Sequence, residues 1–166
     1  MTKLEFNEEN LSKEQIEQLE NIVKESKKKK VWKPKYGDKV YWIYPFSEHG
    51  IDYCTFENND SDLLAYNMGS IFETKAQAEF ELEKRKVEFE IKQYAESHNN
   101  AIPLLCVEKT RYHIWLDAND KKIKVGFTWC LWNQGVIYFT NEEDCRNCIE
   151  QVGEERIKKY IFGVEE

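Results

Sequence analysis

GSIFETKAQAEFELEKRKVEFEIKQYA, residues 69–95, is the stretch on which the fold turns. Gly69 breaks an extended run and Ile71–Phe72 closes it. Thr74, with Gln77 three residues on, then forms the reciprocal capping box that opens a helix. The helix predicted behind that cap is the longest in the chain. Its apolar residues fall on two flanks: Ala76, Phe80, Val87, Ile91 and Tyr94 on one, Ala78, Leu82 and Phe89 on the other. Two apolar flanks call for cover on both, expected here from a sheet and from an N-terminal helix.

A shorter echo, NQGVIYFTNEEDCRNCIEQV at 133–152, repeats the plan of glycine, strand end and capped helix. Asn141 is the expected cap, and Cys145, Cys148, Ile149 and Val152 stand at i, i+3, i+4 and i+7. Gly153 follows as a stop signal, and a short last helix is expected over 154–161. Working outward, residues 40–46 and 51–57 read as strands joined by a turn at His49–Gly50. Residues 58–62 read as a loop and 63–72 as a third extended segment. In the second half, 110–117, 123–132 and 136–139 read as strands, with a turn at 118–121. Upstream, residues 11–29 read as an amphipathic helix with Ser12 as cap, Gln15 completing a capping box and Leu11–Ile16 as a hydrophobic staple. Its stripe is Leu11, Ile16, Leu19, Ile22 and Val23, and it ends in Lys27–Lys30.

The predicted fold class is therefore α+β. Two βββα-like units form antiparallel sheet or sheets, with a long central helix and an N-terminal helix packed alongside. The organisation expected is an N-terminal helix at 1–30, a first unit at 31–100 and a second at 101–166, sharing one compact domain. The 166 residues suffice for that, and 41% hydrophobic with 14% aromatic content is too rich for disorder despite 33% charge.

No apolar run approaches the ~20 residues needed to span a bilayer, and the acidic MTKLEFNEEN start lacks the core of a signal peptide. The odd count of five cysteines (54, 106, 130, 145, 148) suits reduced, buried thiols, so a cytoplasmic setting is expected. A net charge of −7 disfavours direct binding to nucleic acid, which rests on neutralising phosphates.

Candidate chemistry is sparse. Cys145-x-x-Cys148 follows Glu142, Glu143 and Asp144, whose charges raise a thiol pKa where a redox site needs it lowered. His49, His98 and His113 lack metal-ligand spacing, and helical core spacing accounts for both cysteines. No catalytic residue, cofactor or metal is expected, and no nucleophile elbow or phosphate loop is present.

The charge distribution says more. Residues 40–74 contain no lysine or arginine but hold six acids (Glu48, Asp52, Glu57, Asp60, Asp62, Glu73) and eight aromatics. Tyr44, Glu48, Asp52, Tyr53, Glu57, Asp60 and Asp62 are the candidate protein-binding residues. Complementary charge speeds encounter with a basic partner and tyrosines anchor it, although an ordinary solvated face has the same composition.

The segment GSIFETKAQAEFELEKRKVEFEIKQYAE, the ending VGEERIKKYIFGVEE and the element VWKPKYGDKVYWI resemble a group of small uncharacterised proteins encoded by phages and prophages of Gram-positive bacteria. The resemblance runs through most of the chain after residue 31 and brings no catalytic residue with it. It implies a host cytosol during infection or lysogeny. The function expected is that of a non-enzymatic accessory protein that binds a host or phage protein, in its sharpest form an inhibitor of a host defence complex of the anti-CRISPR kind, gripping a basic nucleic-acid-binding effector. The alternatives are a single-stranded nucleic-acid-binding module using Lys27–Lys30 and exposed rings, and a structural or assembly protein of the phage particle. An open sheet edge also permits self-association.

Overall fold

The computed structural model describes residues 12–14, 16–18, 31–99, 109–129 and 133–164. The chain divides into two compact units, Met1–Pro34 and Lys35–Glu166. In the first unit, residues 13–14 and 16–18 are helical and the Ser12 carbonyl accepts the Ile16 N–H at 3.0 Å. Gln15, Leu11 and the rest of the expected stripe lie outside the described residues, as does any packing of that helix.

The second unit is α+β, with two three-stranded antiparallel sheets and a long central helix. Its elements run β1 (Lys39–Ile43), β2 (Ile51–Thr55), α1 (Asp60–Asn67), β3 (Ile71–Phe72), α2 (Lys75–His98), β4 (Arg111–Asp117), β5 (Lys122–Thr128), β6 (Tyr138–Phe139), α3 (Glu142–Val152) and α4 (Glu154–Tyr160). The first sheet has the order β2-β1-β3 and the second β5-β4-β6. Each is a hairpin whose first strand is central and whose short third strand leads into a capped helix, so the pattern repeat of the sequence is also a repeat of topology.

The extended segment expected over 63–72 is replaced by α1 and a two-residue strand. The Asn59 side chain accepts the Asp62 N–H at 2.9 Å and starts a helix of eight residues where a loop is expected. So short a helix, polar at its start and without an apolar stripe, carries little periodicity to read. The caps of α2 and α3 form as expected: Thr74 and Gln77 make both bonds of the box, and Asn141 accepts the Asp144 N–H. Gly153, at φ +97, ends α3 and opens α4.

The two halves of α2 serve different sheets. Its N-terminal half packs on the first sheet: Ala78 is buried, and Leu82 lies against Gly50, where a Cβ would stand 3.0 Å from a leucine methyl. Gly50 turns the β1–β2 hairpin at φ +74, so a larger residue there meets both strain and the helix. The C-terminal half supplies Val87, Ile91 and Ala95 to a cluster with Phe139, Cys145, Cys148, Val152 and Ile157, backed by Tyr112, Ile114, Ile123 and Val125. Phe80 and Phe89 stay largely exposed, Phe80 against the Tyr160 ring at 5.3 Å between centroids.

Long-range polar ties set the helix in place. Arg85 Nη2 donates to the Gly69 carbonyl at 2.7 Å. Past the helix end, Asn99 Nδ2 donates to the Tyr138 carbonyl at 2.7 Å and Asn99 Oδ1 accepts the Thr140 N–H at 2.9 Å, so one side-chain amide pairs with β6 as a strand would. Arg156 grips Glu90 with two bonds, of 2.7 and 2.9 Å, joining α4 to α2. That pair holds the Glu90 carboxyl below its usual range, the hydrogen bonds outweighing desolvation. It is 40% exposed on both sides, so its contribution to stability is small.

On the face of the second sheet turned away from the Phe139 core, His113 lies across Gly126, and a Cβ there would stand 2.9 Å from the imidazole. The ring meets Tyr138 edge-on at 5.9 Å, and its Nδ1 is buried with no hydrogen-bond partner among the described residues. Burial lowers its pKa below 6.5. Arg111 flanks it two residues back on β4, and Lys124 lies diagonally on β5. Both are cations and neither welcomes a second charge. A histidine kept neutral in the fold contributes stability that is complete above its unfolded pKa and is lost as pH falls through that value toward the folded one. Denaturant midpoints should therefore drop between pH 7.5 and about 5, above the range in which Glu90, Asp117, Asp120 and Glu154 titrate. In His113→Gln that slope should flatten; an unchanged slope would assign it to other groups.

Candidate functional site

The structure distributes the seven sequence-selected residues along one margin of the first sheet rather than across a face. Among the described residues, strand β2 is one edge of that sheet. Its register on β1 (Val40 with Cys54, Trp42 with Asp52) is continued by the Tyr44 N–H to Gly50 carbonyl bond at one end and the Phe56 N–H to Asp38 carbonyl bond at the other. Even-numbered residues of β2 thus bond inward and odd-numbered ones point their backbone groups away from the sheet. Glu48 stands in the hairpin turn, Asp52 at mid-strand, and Glu57 and Asp60 beyond the strand's end, all four exposed. Four carboxylates therefore follow an open edge.

Asp52 bends to that edge. Its Oδ1 accepts the outward-pointing Tyr53 N–H at 2.8 Å. This removes one of the donors an incoming strand would use, and a charge at that position discourages edge-to-edge pairing.

Asp62 departs from expectation. It is only 7% exposed, and its Oδ2 accepts the Glu57 N–H at 2.7 Å while its own N–H goes to Asn59. It fixes the corner between β2 and α1 and presents no charge for docking. Only the folded geometry shows this: the Asp62 carboxylate reaches back five residues to the Glu57 N–H, while the Asn59 side chain caps the Asp62 N–H.

The aromatic residues sort similarly. Trp42 and Tyr44 stack at 5.4 Å and 7°, and Tyr44 meets Phe46 edge-on at 5.5 Å, making a ladder that leads out along the hairpin to a ring 86% exposed. Phe46 was absent from the sequence-selected set and is the most exposed ring of the hairpin. Tyr53 is 62% exposed, but the Lys39 ammonium sits 4.0 Å from its centroid and 5.2 Å from that of Tyr41. Lys39 lies one residue outside the lysine-free window and reaches back over it. The available anchors are therefore Tyr44 and Phe46 at the tip, with acids strung behind them.

Cys145 and Cys148 are fully buried in the second core, and burial pushes both thiols up to about 12. Cys54, partly buried, is also raised, by desolvation first and then by Asp62, Asp52 and Glu57. None of these thiols has thiolate character at neutral pH. Among the described residues no group of three His, Cys, Asp or Glu is placed to hold a metal ion, and no helix is long and apolar enough to cross a membrane.

No protein-family model, no curated protein and no solved structure matches this chain.

Two outcomes follow from these placements. Asp62→Ala should destabilise the protein by about 1–3 kcal/mol, since it removes a buried carboxylate that holds the Glu57 N–H, whereas Asp60→Ala should stay within about 0.5 kcal/mol in the same urea titration. Alkylation by iodoacetamide at pH 8, mapped by peptide mass, should leave Cys145 and Cys148 unmodified until denaturant is added; labelling in the native state would contradict their burial.

Proposed function

We propose that the chain acts by binding another protein, through the β1–β2 hairpin tip and the acidic edge of β2, and not by catalysis. One observation carries this reading. A sheet edge lined by Glu48, Asp52, Glu57 and Asp60 ends in an exposed Tyr44–Phe46 pair packed edge to face. Apolar rings exposed together next to unpaired negative charge have an energetic cost in isolation and a use in a complex: the rings supply buried anchor area and the acids set orientation and encounter rate.

The occupant this chemistry fits is a protein with a basic, groove-like surface. The resemblance to phage and prophage proteins sets the reading in a bacterial cytosol, where basic grooves belong chiefly to nucleic-acid-binding effectors, including those of host defence. Occupying such a groove with fixed carboxylates would exclude its phosphate ligand. Net charge supports a protein over a nucleic acid as the direct partner, since −7 repels phosphate.

The test is affinity capture of the tagged full chain from an infected host, followed by binding measurements with the purified partner. Combined reversal of Glu48, Asp52, Glu57 and Asp60 to lysine should weaken binding at least about tenfold and reduce its salt dependence. The melting temperature should hold, because none of the four is buried. Reversing Glu79, Glu96, Glu143 and Glu150, equally exposed but elsewhere, should change affinity by less than about twofold. Equal losses from both sets would reduce the effect to net charge and remove the edge from consideration.

A further inference from the structure

Among the described residues, β2 leaves a short stretch of sheet edge open, and the stretch has defined ends. Its even-numbered residues bond to β1, so the outward backbone groups are those of Ile51, Tyr53 and Thr55. At one end the chain turns through Ser47–Gly50; at the other, Asp62 holds the Glu57 N–H. Between them the Ile51 and Thr55 N–H groups have no hydrogen-bond partner among the described residues, while Asp52 covers the Tyr53 N–H. Tyr53 and Thr55 are exposed, and the strand has no proline or lysine to blunt it.

The two faces of this edge differ in charge. Asp52 and Cys54 share a face with their β1 partners Trp42 and Val40, while Ile51, Tyr53 and Thr55 share the other with Ile43, Tyr41 and Lys39. The first face carries the Asp52 carboxylate; the second carries the Lys39 ammonium, 4.0 Å from the Tyr53 centroid. Glu48 and Glu57 stand at the two ends of the open stretch. None of these three acids makes an ion pair among the described residues, so their charge is not already neutralised.

We propose that β2 accepts an extended segment of the protein partner as a further strand, one that alternates lysine or arginine with apolar residues, a base beside Asp52 and apolar side chains beside Ile51 and Tyr53. This rests on the reading of the acidic edge as a protein-binding surface and specifies how the partner is held, by backbone pairing as well as charge. A strand uses the two unpaired N–H groups and the carboxylates together; a helix or loop seated on the acids leaves both donors unpaired. Asp52 makes the pairing conditional. A neutral or acidic strand displaces its carboxylate from the Tyr53 N–H without compensation, whereas a base draws the same carboxylate outward and frees the donor. A second copy of β2 would set Asp52, Glu48 and Glu57 against their own kind, which closes the edge to self-pairing. Lys39 fixes the phase, because a base on the Tyr53 face would meet its ammonium.

The experiment adds end-capped heptapeptides to the isotope-labelled full chain and follows backbone shifts and amide exchange by NMR. An alternating lysine–valine peptide should give saturable shifts along β2 and slow exchange at Ile51 and Thr55, with Cys54, which already pairs inward, unchanged. Threonine in place of lysine, or the same lysines gathered in one block, should weaken binding at least about threefold, the scale of an exposed ion pair. N-methylation of one alternate row of peptide amides should abolish binding, and of the other row should leave it within about twofold, because only one row faces β2. In Asp52→Ala, checked by its melting temperature, the preference for lysine over threonine should shrink and the neutral peptide should bind more tightly. Absence of saturable shifts, equal binding by alternating and blocked peptides, or equal effects of the two methylated rows overturns the proposal. Its failure is distinct from that of the acidic-edge reading. A captured partner weakened by the combined lysine reversal, yet leaving Ile51 and Thr55 exchanging as in the free chain, sustains the edge and sinks strand addition.

Discussion

The constraint on which this structure depends is the sharing of one 24-residue helix by two small sheets. A three-stranded sheet has one face to bury and too little material to cover it alone. Here α2 covers the first sheet with Ala78 and Leu82, then continues into the second core with Val87, Ile91 and Ala95. A helix spanning two cores needs stability of its own over roughly 36 Å, at 1.5 Å per residue. Its exposed side supplies this with spaced pairs such as Lys75–Glu79, Arg85–Glu81 and Lys86–Glu83, each contributing a few tenths of a kcal/mol.

The repeat of topology gives the two halves different tasks. Both sheets place their first strand centrally and end in a short third strand before a capped helix. The second half then adds α3 and α4 and gathers most of the buried residues: Phe139, Cys145, Cys148, Val152 and Ile157. The first half has a smaller core of Val40, Phe56, Ile71 and Ala78, and puts its aromatic residues outward along the hairpin. The second half thus holds the larger core, while the first displays rings and carboxylates along its hairpin.

Much of this was legible from residue order because the signals are local. Thr74 with Gln77, Asn141 three residues before Asp144, and Gly153 each act within one turn of backbone, and each forms as read. The heptad-like spacing of Cys145, Cys148 and Val152 likewise placed them inside. What escaped has two physical causes. Helix α1 is too short to show a period, so Asn59 alone announced it. Asp62, Lys39 and Asn99 depend on chain folding back: a carboxylate turned onto the Glu57 N–H, an ammonium laid over Tyr53, an amide reaching 39 residues ahead to β6. Composition counted Asp62 with the surface acids, and only geometry separates it from Asp60.

The bond from Arg85 to the Gly69 carbonyl and the amide clasp of Asn99 on β6 have a joint consequence. They fasten the same rigid rod at two points fourteen positions apart, one to the turn before β3 and the other to β6. Adding or deleting a single residue between them would swing the far clasp by about 100° around the rod axis and carry it away from its strand. The spacing from 85 to 99 is thus a fixed gauge. Variation in length is tolerable in the loops on either side, but inside that interval it would cost the protein one of these two clasps.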